Sequence, residues 1–218
     1  MSPVDSAMPS SSRDRILRRI RAANQRAGAG SQPIPREYDR DGNCSTDEIL
    51  ALFEERVREY DARVFPVRRA EIAARAAAIL FEAGRRRIAV PAGLPAEWRA
   101  SGIEWVVDGA SPALSYEVLD MVDGAMTGAA LAIAVSGSIV LQHGPAEGRR
   151  VLTLLPDYHL CILQACDVVE TLPEGFARLD PLRPTTFISG PSATADIEMV
   201  RIKGVHGPRS LDILLVED

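Results

Sequence analysis

Residues 67–107, VRRAEIAARAAAILFEAGRRRIAVPAGLPAEWRASGIEWVV, decide the fold class of this chain. Apolar residues at helical spacing over residues 67–83 predict an amphipathic helix, and Gly84 is typical of the cap that ends one. Residues 87–91 predict a short buried strand, and residues 105–107 predict a second strand after a brief helical stretch. Strands that alternate with helices indicate an α/β architecture with a largely parallel sheet.

The segment before this stretch predicts one more helix and a separate N-terminal part. Ser45-Thr46-Asp47-Glu48 matches a capping box, and apolar residues follow it on one helical face. Residues 1–12 are rich in Ser and Pro, residues 16–27 predict a short helix, and residues 28–42 are typical of a linker. We therefore expect residues 1–42 to form a disordered tail, a short helix and a linker, and residues 43–218 to form the α/β domain.

The C-terminal half predicts a hairpin, further strands and two more helices. Residues 129–135 and 138–142 are apolar runs separated by Ser136-Gly137, which is typical of a tight hairpin turn. The remaining predicted elements are strands at residues 161–163, 186–188 and 213–216, and helices at residues 167–177 and 194–200.

Composition and missing motifs exclude several classes of protein. The formal net charge of −5 argues against a nucleic-acid binder. Three cysteines without a CxxC pair and three histidines give no disulfide framework and no marked metal site. Phosphate-loop, dinucleotide-binding and HExxH motifs are absent, and Gly190–Thr194 lacks the second glycine of a serine-hydrolase elbow. With no secretory signal and no apolar run of about 20 residues, we expect a cytoplasmic protein without a membrane span, metal or cofactor.

The first candidate site is SGPSATADIE, from Ser189 to Glu198. It follows a predicted strand, turns at Gly190 and enters a predicted helix near Ser192 or Thr194, where free backbone N–H groups and hydroxyls can bind an anion. Alternatively, Ser192 or Thr194 merely caps the helix, and the acidic residues complement its dipole. Asp196 and Glu198 repel a phosphate unless they point away, so a sugar-like hydroxyl or a metal is also an open alternative.

The second candidate is GVHGPR, residues 204–209. His206 can act as a general acid or base, Gly207 keeps the backbone compact, and Arg209 can grip a carboxylate. The alternative is a histidine that makes only structural hydrogen bonds.

A third candidate joins Thr127-Gly128 to the turn at Ser136-Gly137-Ser138, where small residues let a ligand approach the backbone. An ordinary hairpin turn explains the same residues. His143 and His159 are assigned to surface or loop positions.

Together these segments resemble a known family. TGAALAIA (residues 127–134), SGSIVL (136–141) and LLPDYH (154–159) precede the two C-terminal motifs in order. This arrangement resembles the lactate-utilisation protein C family, whose shared module is the LUD domain. The resemblance implies a three-layer α/β sandwich similar to the ribose-phosphate isomerase, glucosamine-phosphate deaminase and CoA-transferase group. It also implies a role in bacterial oxidation of L-lactate to pyruvate, with partner subunits that carry iron–sulfur clusters.

At two positions this chain departs from the family pattern, and the difference argues against one activity. Relatives often carry acidic residues where this chain has Ala130 and Val135. Because a CoA-transferase mechanism needs a nucleophilic glutamate, we discount that activity here.

The leading hypothesis is an accessory component of lactate oxidation that binds a small anionic ligand. In this hypothesis, His206 acts on the ligand or orients it. The other candidate residues donate hydrogen bonds, let the ligand approach the backbone or neutralise its charge. They are Thr127, Gly128, Gly137, Ser138, Ser189, Gly190, Ser192, Thr194, Gly207 and Arg209.

Two other hypotheses stay open. One is an isomerase or hydrolase of a small phosphorylated or acylated metabolite, with Asp196 or Glu198 as base and His206 as acid. The other is a non-catalytic assembly subunit whose N-terminal helices bind partners. An Ala-rich helical arm before the domain is also compatible with a homo-oligomer.

Overall fold

The protein is described from a computed structural model, which covers residues 11–26, 34–38, 40–109, 111–195, 201–204 and 207–217. The chain divides into two compact units, Met1–Tyr38 and Asp39–Asp218. The first contains helix α1 (Ser12–Arg26), which confirms the predicted short helix; Ile16 and Ile20 are both exposed on it. The predicted tail lies largely outside the described residues, as does part of the predicted linker.

The second unit carries four helices and twelve strands in its described part. In chain order they are α2 (Thr46–Glu59), β1 (Arg63–Val67), α3 (Ile72–Glu82), β2 (Arg87–Pro91), β3 (Glu104–Asp108), α4 (Tyr116–Asp120), β4 (Gly124–Gly128), β5 (Leu131–Ile133), β6 (Ser138–Leu141), β7 (Tyr158–Gln164), β8 (Val168–Val169), α5 (Leu172–Arg178), β9 (Thr186–Ile188), β10 (Ala193–Ala195), β11 (Arg201–Lys203) and β12 (Ser210–Val216). Single 3-10 turns occur at Arg69–Glu71, Ala96–Trp98, Arg150–Thr153 and Ala165–Asp167.

The main sheet has six strands in the order β1-β12-β7-β4-β2-β3. Every neighbouring pair in it is parallel. A second sheet, β8-β5-β6-β9, contains the predicted hairpin as the antiparallel pair β5–β6. The α/β architecture with a largely parallel sheet is therefore confirmed.

The two largest apolar clusters of the described residues lie on opposite faces of the main sheet, because side chains alternate along each strand. On one face, α3 packs Ile72 and Leu80 against Met126 and Leu160 of the sheet. On the other face, α2 and the second sheet cover the strands, with Phe53, Val57 and Ile139 packed against Cys161 and Ile213. The result is three layers, and the candidate site lies on the face that the second sheet covers.

Local interactions set several element boundaries. The Ser45 hydroxyl accepts from the Glu48 backbone N–H, and the Glu48 carboxylate accepts from the Ser45 N–H, so the capping box is confirmed. At the hairpin turn, Gly137 has φ +57, and a Cβ there would lie 2.8 Å from Cβ of Arg56. Glycine is therefore required at this turn both for its backbone angle and for its contact with α2.

The helix predicted over residues 67–83 begins later than expected. Val67, its predicted first residue, is the last residue of β1 (Arg63–Val67), a strand that was not predicted, and α3 starts at Ile72. Val64 and Val67 are buried in this strand, which is the edge of the main sheet. An edge strand tolerates Pro66, which has no N–H to donate and disfavours helix in the residue before it.

The other two helix predictions also need correction. The helix predicted from Thr194 is wrong where the structure describes it, because residues 193–195 form β10 and pair antiparallel with β11. Residues 196–200 lie outside the described part of the chain. Within residues 167–177, Val168–Val169 form a strand, and the helix starts only at Leu172, after a capping box between Thr171 and Glu174.

Candidate functional site

A cleft of about 280 Å³ opens where β7 and β12 begin, beside the segment that follows β9. The register pairs Ser210 with Tyr158, so the two strands start side by side. Both C-terminal motifs line the cleft, through Ser189–Ser192 and Gly207-Pro208. The remaining lining residues are polar or charged (Arg150, Thr153, His159, Thr186) and apolar (Leu154, Phe187, Ile188, Leu211).

Backbone hydrogen bonds at Ser192 hold the two motifs together. The Ser192 N–H donates to the carbonyl of Pro208, and the Gly204 N–H donates to the carbonyl of Ser192, both at 2.8 Å. The β10–β11 pairing brings the chain back to make these contacts. A Cβ added at Gly207 would lie 3.4 Å from Cβ of Ser192, so the two segments run close together there.

His159 is the most deeply buried polar residue among those that line the cleft. It lies on β7, its exposure is 1%, and its Nε2 is 2.8 Å from Oγ1 of Thr127 on β4. The parallel register pairs Ala125 with His159 and Thr127 with Cys161, so these side chains share one face of the sheet. Burial lowers the pKa of His159 to about 4, and the ring is therefore neutral at physiological pH.

A chain of hydroxyls connects the hairpin turn to the cleft. Oγ of Ser138 lies 2.8 Å from Oγ of Ser136 and 2.7 Å from Oγ of Ser189. Ser189 lines the cleft, and Ser138 is buried behind it. The third candidate segment thus reaches the cleft through a hydrogen bond to Ser189.

Gly190 lets the cleft wall approach the end of α2. Its φ is +79, and a Cβ there would lie 2.3 Å from Cβ of Tyr60. No side chain fits at that distance, so glycine is needed both for the backbone angle and for the contact.

His143 fixes a second side of the cleft. Its Nδ1 lies 3.0 Å from the carbonyl oxygen of Gly148, and its Nε2 lies 2.9 Å from Oγ1 of Thr186. Because a carbonyl can only accept, Nδ1 carries the hydrogen, and the Thr186 hydroxyl donates to Nε2 when the ring is neutral. His143 therefore orients the hydroxyl of a lining residue.

The two arginines near the cleft have different surroundings. Arg150 lines the cleft and is exposed, and no described carboxylate lies within ion-pair distance of it. Arg209, the predicted countercharge, is outside the lining and lies 3.4 Å from a carboxylate oxygen of Asp157. Arg150 is therefore the better placed of the two to attract an anion.

The structure places the predicted site residues at different distances from the cleft. Ser189, Gly190, Ser192 and Gly207 line the cleft, and Thr127 and Ser138 lie one hydrogen bond behind it. Gly137 packs against α2, and the Gly128 N–H donates to the carbonyl of Ala146 at 2.8 Å. Arg209 pairs with Asp157. The backbone of Thr194 belongs to β10, whereas His206, Asp196 and Glu198 lie outside the described residues, so their roles stay predictions.

The physical basis proposed for anion binding at Ser189–Glu198 changes with the structure. As far as the structure describes it, to residue 195, the segment leads into β10 and not into a helix, so no helix in that part of the chain supplies a dipole at Ser192 or Thr194. Hydroxyls and Arg150 remain as the groups that favour an anion.

Sequence reasoning missed His159 and Arg150. A signal for His159 was present, since a histidine within the otherwise apolar run of residues 158–163 is typical of a buried polar group on a strand. Arg150 has no comparable signal, because it is one of many arginines in the chain.

Neither a metal cluster nor a membrane-spanning helix occurs in the described part of the chain. Among the residues that the structure describes, no group of three or more His, Cys, Asp or Glu side chains is arranged to hold a metal ion. In the same residues, no helix combines the length and the apolar character needed to cross a membrane.

Comparison with known proteins identifies the family. The LUD domain model matches residues 50–216. Lactate utilization protein C from Deinococcus radiodurans is 43% identical over 197 residues, which are 88% of this chain and 91% of that protein. The uncharacterized protein YkgG from Escherichia coli is 34% identical over 118 residues, 49% of this chain and 51% of that protein.

A solved structure supports the same assignment. The crystal structure of a DUF162 family protein from Deinococcus radiodurans matches with a TM-score of 0.69 and 38% identity, and the match covers 80% of this chain and 99% of that one. The LUD match spans all six strands of the main sheet and both motifs at the cleft. This chain therefore belongs to the LUD domain family, among proteins of the lactate utilization protein C and YkgG type.

Proposed function

We propose that this chain is a component of an L-lactate utilisation system and binds a small anionic ligand in the cleft. The observation that carries the proposal is the meeting of the Ser189–Ser192 and Gly207-Pro208 segments around one cleft, with Arg150 at its wall. The pathway part rests on the relative named lactate utilization protein C, which aligns over 88% of this chain.

The chemistry of the cleft suits a small carboxylate. Arg150 provides a positive charge and Ser189 provides a hydroxyl, whereas the hydroxyl hydrogens of Thr153 and Thr186 go to the Arg150 carbonyl and to His143. At about 280 Å³, the cleft falls just below the range of roughly 300–1,000 Å³ typical of drug-sized ligands. A metabolite with few heavy atoms and one negative charge fits both properties.

The electron-transfer centres of such a system would belong to partner subunits. An iron–sulfur cluster needs about four cysteine ligands, and this chain has three cysteines, of which Cys161 is buried in the core. We therefore propose iron–sulfur proteins as its partners, with the LUD domain supplying the ligand cleft.

Growth on L-lactate tests the proposal. The gene is deleted in the host organism, together with any redundant copy, and complemented with the wild type, Arg150→Ala or Arg209→Ala. We expect the deletion to abolish growth on L-lactate but not on glucose, and Arg209→Ala to restore it. Arg150→Ala should restore it poorly although the protein accumulates normally. Unimpaired growth of the deletion strain would exclude the pathway assignment, and full rescue by Arg150→Ala would exclude the ligand role of Arg150.

A further inference from the structure

The directions of two hydrogen bonds fix which nitrogen of His159 carries its proton. Oγ1 of Thr127 lies 2.9 Å from the carbonyl oxygen of Gly128 and 2.8 Å from Nε2 of His159. A carbonyl only accepts, so the single hydroxyl hydrogen of Thr127 goes to Gly128. Nε2–H of His159 then donates to Thr127, and Nδ1 holds a lone pair.

That lone pair is available at the cleft. His159 contributes to the cleft wall although its exposure is only 1%. Its ring hydrogen-bonds to Thr127 through Nε2, and Nδ1 has no hydrogen-bond partner in the described part of the chain. A ligand that fills the cleft would cover this acceptor, and a ligand hydroxyl that donates to it would avoid the free-energy cost of leaving it unpaired there.

We propose that Nδ1 of His159 accepts a hydrogen bond from the hydroxyl of the bound ligand, so that the cleft selects a 2-hydroxycarboxylate over the corresponding 2-oxocarboxylate. The inference rests on the proposed binding of a small anion in this cleft. Arg150 attracts the carboxylate of either acid equally. His159 distinguishes a hydroxyl from a ketone oxygen on the carbon next to that carboxylate. His159 is thus the specificity-determining residue, and Thr127 positions it.

The selectivity follows from donor and acceptor counting. A hydroxyl donates to a neutral imidazole nitrogen, but a ketone oxygen has no hydrogen and would place its lone pairs against that of Nδ1. A site built to bond a ligand hydroxyl rejects the analogue that lacks it, because the buried partner is left unpaired. For one net hydrogen bond we expect a preference of about tenfold or more.

Calorimetric titration of the purified full chain with L-lactate and with pyruvate tests the inference. The variant His159→Gln carries an amide that can still donate to Thr127 but leaves no acceptor at the Nδ1 position. The second variant, Thr127→Val, removes the oxygen that accepts the hydrogen bond from Nε2 of His159. It provides a second test of the inference if His159→Gln does not fold. Arg87→Ala, at an arginine that is outside the cleft lining and pairs with the exposed Glu104, is the matched control.

We expect the wild type and Arg87→Ala to bind L-lactate at least about tenfold more tightly than pyruvate, and His159→Gln to bind the two acids almost equally. Thr127→Val should show a reduced preference, because the ring loses the contact that keeps its hydrogen on Nε2. ¹⁵N NMR of the histidine ring should show Nε2 protonated and Nδ1 bare. Equal affinities in the wild type, an unchanged preference in His159→Gln, or protonated Nδ1 would overturn the inference and leave the proposed anion site standing. Binding of neither acid would overturn both.

Discussion

Nε2 of His159 lies 2.8 Å from Oγ1 of Thr127, and this contact joins two neighbouring strands of the main sheet across 32 residues of sequence. Both side chains are buried, with exposures of 1% and 0%. The contact keeps a neutral imidazole in place beside a cleft that also contains a cationic side chain. Protonation of His159 would place a second positive charge in a buried site, which gives the first prediction.

Acid should destabilise the protein through His159. The pKa of this ring is about 4 in the folded state and 6.5 in the unfolded state, so the unfolded chain binds more protons between these values, and stability falls as pH drops from 6.5 towards 4. From pH 7.5 to pH 5 the contribution amounts to about 2 kcal/mol. Urea unfolding at both pH values measures it.

The His159→Gln variant is the control, since it lacks the titrating ring. It should lose about 2 kcal/mol less than the wild type over the same pH interval. Equal losses in both proteins would show that His159 is not held neutral by burial.

Replacing Arg63 should destabilise the protein, because the buried carboxylate of Asp212 would lose its positively charged partner. Asp212 has a side-chain exposure of 2% and accepts two hydrogen bonds from Arg63, at 2.8 and 2.6 Å, and one from the Tyr158 hydroxyl at 2.6 Å. Burial and the nearby Asp212 raise the pKa of Tyr158, so its hydroxyl stays a donor. We expect Arg63→Met to lower the free energy of unfolding by about 3 kcal/mol, because the buried charge loses its partner.

Arg87→Met is the matched change at an exposed pair. Its partner Glu104 has a side-chain exposure of 64%, and exposed ion pairs contribute about 1 kcal/mol or less. Similar denaturant midpoints for the two variants would contradict the role assigned to Asp212.

Alanine at Gly190 should damage the cleft wall more than alanine at another glycine of similar backbone angle. Gly84 has φ +70, and a Cβ added there would meet no atom within 4 Å, whereas a Cβ at Gly190, φ +79, would lie 2.3 Å from Cβ of Tyr60. Gly84→Ala should cost about 1–2 kcal/mol from its angle alone. Gly190→Ala should cost about 1–3 kcal/mol more and weaken ligand binding. Equal decreases in Tm for Gly84→Ala and Gly190→Ala would contradict the idea that contact with Tyr60 requires glycine at position 190.

Two of the three thiols should react in the native protein. Cys44 and Cys166 are exposed, and Cys161 is buried in the core, where burial raises its pKa to about 12. The thiolate is the reactive form, so Cys161 should stay unmodified by a disulfide reagent at pH 8 until the chain is unfolded. A count of three fast thiols per chain would show that this core opens readily.

Local patterns in the sequence predicted the elements whose cause is local. The capping box at Ser45, the turn at Gly137 and the strand at residues 87–91 each depend on neighbouring residues, and the structure has all three. The two C-terminal motifs were also identified from sequence, and the structure brings them to one cleft.

Long-range pairing decided what the sequence did not reveal. No strand was predicted at residues 63–67, where pairing with β12, about 150 residues away in sequence, forms one. At residues 193–195 the partner strand at 201–203 overrides a helical composition. The role of His159 depends on its hydrogen bond to Thr127 on the neighbouring strand, a contact between residues 32 positions apart in sequence.

The position of β12 has a consequence for the order in which the protein assembles during its synthesis. β12 lies between β1 and β7, so the first strand of the domain has no neighbour in the main sheet until residues 210–216 have been made. During translation, β1 therefore leaves the ribosome well before β12 does, and its backbone N–H and C=O groups stay unpaired in the meantime. Unpaired strand edges of this kind promote aggregation. The nascent chain should depend on chaperones until the last of these strands inserts, and messages truncated before codon 210 should yield insoluble protein.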